Sequence, residues 1–146
     1  MKKAPMIGLV AGVLTAALLA GAVLVTRATA AGEPAAPARP AEGSSWVLKS
    51  WSDPAQVPDT PITLEIADGM VRGNSACNTY TGPVTSGDGT FKAGPVASTM
   101  MYCLDTADAE TIYLGLLQSA DSWAMDGDEF VLSVGGHEAL RFTPAI

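Results

Sequence analysis

Cys77 and Cys103 are the only cysteines of this 146-residue chain, and His137 is its only histidine. These three side chains bound the chemistry available. The two cysteines do not form a Cys-x-x-Cys unit, which argues against thiol–disulfide catalysis. A single histidine gives no Ser-His or Cys-His constellation a spare base. His137 follows Gly135-Gly136, so a solvated turn histidine is the simpler reading. Carboxylates are plentiful. Asp126-Gly127-Asp128-Glu129 carries acids in the manner of a calcium loop, but the D-x-D-x-D-G spacing is missing, so the segment reads as a hairpin turn. Neither a glycine-rich phosphate loop nor a zinc-ligand spacing is present. The expectation is a domain without a catalytic centre, metal or cofactor.

Binding is the other chemistry to weigh. Asn78 and Tyr80 follow Cys77 in the polar stretch Gly73–Gly82. They either line a cleft or play structural parts, with Asn supplying turn hydrogen bonds and Tyr half-burying its ring; the structural reading is the simpler. Met100, Met101 and Tyr102 precede Cys103. Exposed, they would form an adaptable apolar contact site; core filling is the expectation. The candidate binding surface is Asn78, Tyr80, Met100 and Tyr102.

The N-terminus bears on compartment. Lys2 and Lys3 precede an uncharged apolar run, residues 6–26, followed by Arg27 and Ala28-Thr29-Ala30. This is a secretory signal layout with cleavage expected after Ala30. Met6 to Val25 spans 20 residues, longer than the usual 7–15 and enough to cross about 30 Å of bilayer core. An uncleaved membrane anchor is the alternative, and it is the only membrane contact expected. No cysteine lies at the cleavage site, which excludes a lipid anchor there. Either outcome places residues 31–146 outside the cytoplasmic membrane, in the envelope or the extracellular space. Residues 31–43, with Pro34, Pro37 and Pro40, read as a spacer reaching about 40 Å if extended.

All fifteen acidic residues lie after position 30, against five basic ones there, a net charge of −10. Such a surface repels nucleic-acid phosphates and anionic lipid headgroups. In an exported chain an even pair of cysteines is expected to be a disulfide. Two buried free thiols are the alternative.

The elements that position these residues lie in 44–146. Trp46 and Leu48 share one face of an extended segment. Ile62, Leu64 and Ile66 alternate with Thr63 and Glu65, and Asp68-Gly69 then makes a tight hairpin turn back to Met70-Val71-Arg72. Further strands flank Asp88-Gly89, Asp126-Gly127-Asp128 and Gly135-Gly136, ending on Leu140-Arg141-Phe142. Ala109, Ile112, Tyr113, Leu116, Leu117 and Ala120 form one helical stripe, with Asp105 or Thr106 as the cap and Asp108 and Glu110 at its positive end. One amphipathic helix among short antiparallel strands implies an α+β fold. The expected form is a small, strongly curved, barrel-like sheet with the helix packed on it.

The ordered set of residues resembles the META domain, or HslJ-like, family from about Ser45 to Phe142. It comprises Trp46-x-Leu48, Pro61–Leu64 with Asp68-Gly69, Gly73 with Cys77-Asn78 and Tyr80, and Gly94-Pro95. It continues with Ser98-Thr99, Met101 and Cys103, then Glu110, Tyr113 and Leu114, and ends on Leu140–Phe142. One departure stands out: Ala76 occupies the place before Cys-Asn where the family usually has Gly. A left-handed backbone there would cost Ala about 1 kcal/mol or more. The resemblance implies a mostly antiparallel sheet with one helix, in exported or envelope-associated bacterial proteins, some linked to stress responses. It carries no established enzymatic activity. The expected role is a binding module for an envelope protein or ligand, with a structural envelope scaffold as the alternative.

Overall fold

The computed structural model describes residues 43–146; the expected signal segment and all of the linker except Gly43 lie outside the described residues. Strand β1 (Ser44–Trp51) buries Trp46 and Leu48, as their alternation predicts. β2 (Thr63–Ala67) and β3 (Met70–Asn74) form the predicted hairpin, with Asp68 at φ 53° and Gly69 at φ 69° in its turn. β4 (Thr79–Ser86) pairs with β3 along one edge. Its other edge takes β5 (Phe91–Ala93) and then the short β6 (Ala97–Ser98). After helix α1 (Ala107–Ser119) come β7 (Ser122–Asp126), β8 (Glu129–Val134) and β9 (His137–Pro144).

All pairings are antiparallel, in the order β5-β4-β3-β2-β1-β9-β8-β7. The two ends then meet. Thr90 bridges Ser122, Phe91 N–H donates to Asp121 O at 3.1 Å, and Trp123 N–H donates to Gly89 O at 3.0 Å. The sheet is thus a nearly closed barrel, which leaves few unpaired edge groups.

Its core is aromatic. Phe130 is fully buried and contacts Trp46, Trp123, Phe91 and Phe142, with ring centroids 5.2–6.5 Å apart. The expected stripe of α1 enters this core through Tyr113, Leu117 and Ala120, whereas Ala109, Ile112 and Leu116 are half-buried. The helix cap differs from expectation: Thr106 occupies the N-cap position but its side chain makes no capping bond.

Candidate binding surface

The turn joining β3 to β4 closes on itself. Asn78 O accepts from Ser75 N–H at 2.8 Å and from the Ser75 hydroxyl at 2.9 Å, and Ala76 N–H donates to Asn74 Oδ1 at 2.8 Å. Ala76 has φ 81°, so the turn holds its left-handed residue even though that residue carries a Cβ. This geometry projects Cys77 and Asn78 toward the segment that enters α1.

Cys77 is bonded to Cys103, with their Cα atoms 5.8 Å apart. Beside the disulfide, the buried Asn78 amide makes four hydrogen bonds. Its Oδ1 accepts from Met101 N–H and the Thr99 hydroxyl, both at 2.8 Å. Its Nδ2 donates to Met101 O at 3.0 Å and to Glu110 Oε2 at 2.9 Å. Every donor and acceptor site of the amide is used, which is what burial of an amide demands. Glu110 thus ties α1 to Asn78, a part its place in the first helical turn did not disclose.

Tyr80 lies behind this clamp. Its hydroxyl donates to Thr63 O at 2.8 Å and accepts from the Tyr113 hydroxyl at 2.6 Å. Burial pushes both phenols well above their ordinary pKa. Gly73 is required alongside, because a Cβ there would overlap the Thr63 carbonyl oxygen.

The four residues of the candidate surface therefore separate into two kinds. Asn78 and Tyr80 are only 4 % and 3 % exposed, so they offer no contact surface of their own; they anchor it. Met100 and Tyr102, expected to fill the core with Met101, are instead exposed at 96 % and 79 %, alongside Met101 at 63 % and Leu104 at 85 %. The physical reason is the Asn78 clamp. It consumes both peptide groups of Met101 and leaves the neighbouring side chains pointing outward. Leu104 was missed in the sequence. Its signal was the density of bulky apolar residues around Cys103 with neither a period of 2 nor one of 3.6, which suits no core-facing element.

Two further features flank the loop. A groove of about 260 Å³ lies between the β1–β2 connection and the start of α1, with Trp51, Val57 and Ile112 among its walls and Asp59, Asp105 and Asp108 on its rim. A shallow depression of about 290 Å³ runs along Thr79–Thr81 and Ala97–Thr99.

Five carboxylates elsewhere, Glu65, Asp68, Asp126, Glu129 and Glu138, are held in ion pairs. Arg141 contacts Asp126, Glu129 and Glu138 at 2.6–2.8 Å, and Glu129 also pairs with Lys49. The Lys49 and Arg141 side chains hold Glu129 below the usual carboxylate range, and Arg141 does the same for Glu138. Asp126, which the sequence places at a hairpin turn, is one member of this cluster. Asp128 is exposed in the β7–β8 turn, and His137 is exposed at the start of β9.

Among the described residues, a barrel-like antiparallel sheet with one helix is the fold expected of a META domain. The chain belongs to that family, whose model matches residues 39–145. Among solved structures it is similar to a protein from Burkholderia xenovorans determined by NMR, with a TM-score of 0.62 and 26 % identity over 71 % of this chain and 83 % of that one. A second NMR structure, 18 % identical with a TM-score of 0.54, covers 70 % of this chain and 89 % of its own and shares the fold. Comparison with curated proteins finds no match.

Proposed function

We propose that this protein is an exported, non-enzymatic binding module of the cell envelope or the extracellular space, and that its contact surface is the loop Met100–Leu104. The observation that carries the reading is the exposure of four large apolar side chains on a loop fixed by a disulfide and by the Asn78 amide. An apolar cluster held outward by a rigid anchor marks an interaction site better than scattered surface residues do. Each such side chain, fully covered by a partner, contributes about 1.5–3 kcal/mol. Holding the loop in place beforehand lowers the ordering cost of association. Methionines suit a contact that adapts to its partner.

Export is supported by Lys2-Lys3, the apolar run and Ala28-Thr29-Ala30, and by the cysteine pair. The absence of catalysis is supported by the buried, hydrogen-bonded tyrosine pair, the bonded cysteines and a lone exposed histidine. A role in envelope stress would fit the family resemblance.

The test is capture from envelope extracts with the full chain as bait. A partner retained by the wild type and by His137→Ala, but lost with Met100→Ser/Tyr102→Ser, supports the reading. Equal retention by the loop variant defeats it. A reporter fused at Ile146 that is active only in the cytoplasm defeats the export part. Loss of function in a folded His137→Ala variant would favour an enzyme.

A further inference from the structure

The exposed loop leads directly into an acidic region. Leu104 is joined to Asp105, which rims the groove beside α1 together with Asp59 and Asp108. Among the described residues, these three carboxylates take part in no salt bridge. Lys49 and Arg141 are engaged by the Glu129 cluster, and Arg72 lies near Glu65 and Asp68. The helix start accommodates Asp105 and Asp108 in the free protein through its positive end, without neutralising the groove. The same groove is also lined by the apolar, half-buried Trp51, Val57 and Ile112.

From this charge pattern we infer that the partner is a cationic, amphipathic polypeptide segment, whose apolar side chains cover Met100–Leu104 and whose Lys or Arg side chains enter the groove rimmed by Asp59, Asp105 and Asp108. The inference rests on the reading of Met100–Leu104 as the contact surface. Charge complementarity selects among the occupants such a loop could take. A second copy of this chain would bring the same acids face to face. An anionic membrane is repelled by the net charge of −10 over residues 31–146. A basic segment satisfies both halves of the surface together. The long Lys and Arg stems suit a groove lined by both apolar side chains and carboxylates.

The probes are a synthetic peptide of alternating Lys and Leu residues, its Glu-for-Lys counterpart, and phosphatidylglycerol vesicles. All are titrated against the full chain at 50 and 500 mM salt. The expected result is binding of the Lys-Leu peptide alone, weakened by about tenfold at high salt and by about tenfold in Asp59→Asn/Asp105→Asn/Asp108→Asn. Circular dichroism verifies that the triple variant is folded; should it not fold, the salt dependence of the wild type decides. Binding of the Lys-Leu peptide that ignores both salt and the triple substitution overturns the inference while leaving the apolar loop as the contact surface. So does binding of the Glu peptide with equal strength. Binding to the vesicles in place of the peptide, or self-association through the loop in sedimentation, also overturns it. Undiminished peptide binding by Met100→Ser/Met101→Ser/Tyr102→Ser/Leu104→Ser removes the loop reading itself.

Discussion

One side-chain amide, that of Asn78, holds both peptide groups of Met101: Oδ1 accepts its N–H at 2.8 Å and Nδ2 donates to its carbonyl at 3.0 Å. A strand partner would bond a residue in the same two-point manner. The loop before α1 is therefore ordered as if paired, although it belongs to no strand. The same amide reaches Thr99 and Glu110, so one buried residue joins β4, the apolar loop and the helix.

Asn78→Ala should destabilise the domain by about 2–4 kcal/mol, because it leaves buried partners unsatisfied as well as removing bonds. Asn78→Asp preserves the shape but places a second carboxylate against Glu110, and should be at least as harmful at neutral pH. Urea unfolding measures both. A change within 0.5 kcal/mol for either would show that the amide network contributes little.

The Cys77–Cys103 bond closes a loop of sequence separation 26. Chain-entropy arithmetic gives about 3.5 kcal/mol of stabilisation. Cys103→Ser should lose roughly that amount, and the protein should show two hydrogens fewer by non-reducing mass spectrometry. Two thiols open to alkylation in the unfolded, unreduced protein would contradict the bond.

Local chemistry made the barrel legible, and long-range pairing hid the surface. Ile62, Leu64 and Ile66 alternate cleanly, and Asp68-Gly69 accepts positive φ, so the first hairpin follows from neighbouring residues alone. The spacing of Tyr113, Leu117 and Ala120 likewise marks the buried face of α1. Met100, Met101 and Tyr102 read as core by composition. Their exposure depends on Asn78, more than 20 residues earlier, engaging the backbone of Met101. Glu110 looked like a residue for the helix's positive end, yet its partner lies 32 positions away. Periodicity carries no information about such partners.

Glycine positions give a paired prediction. Gly73→Ala should cost about 3 kcal/mol or more, since its Cβ would overlap the Thr63 carbonyl and crowd the Tyr80 hydroxyl that bonds it. Ala76→Gly is the reverse case. Relief of a left-handed backbone, about 1–2 kcal/mol, offsets the lost methyl and the looser unfolded chain, so the change should lie within about 1 kcal/mol of zero. Ala93→Gly, a buried strand position without positive φ, gains no such relief and should lose about 1–2 kcal/mol. Equal losses at 76 and 93 in denaturant titrations would count against strain at Ala76.

Acid should destabilise this domain through a small set of carboxylates. Lys49 and Arg141 lower Glu129, and Arg141 lowers Glu138. Asp121 is lowered chiefly by the Gly135 N–H at 2.7 Å and then by the Ser122 hydroxyl at 2.8 Å. In the unfolded chain these groups return to about 4. Depressed folded values mean that the unfolded state binds protons first. Their stabilisation is therefore fully present above about pH 5 and disappears as pH falls through the folded values. The urea midpoint should stay level near neutrality and decline below pH 5. Arg141→Gln should flatten that decline, most through Glu138 and partly through Glu129, for which Lys49 remains. Asp121→Asn should flatten it independently, because Asp121 is bonded to different partners. An acid decline of unchanged slope in Arg141→Gln would show that the Arg141 cluster is too well solvated to couple to folding.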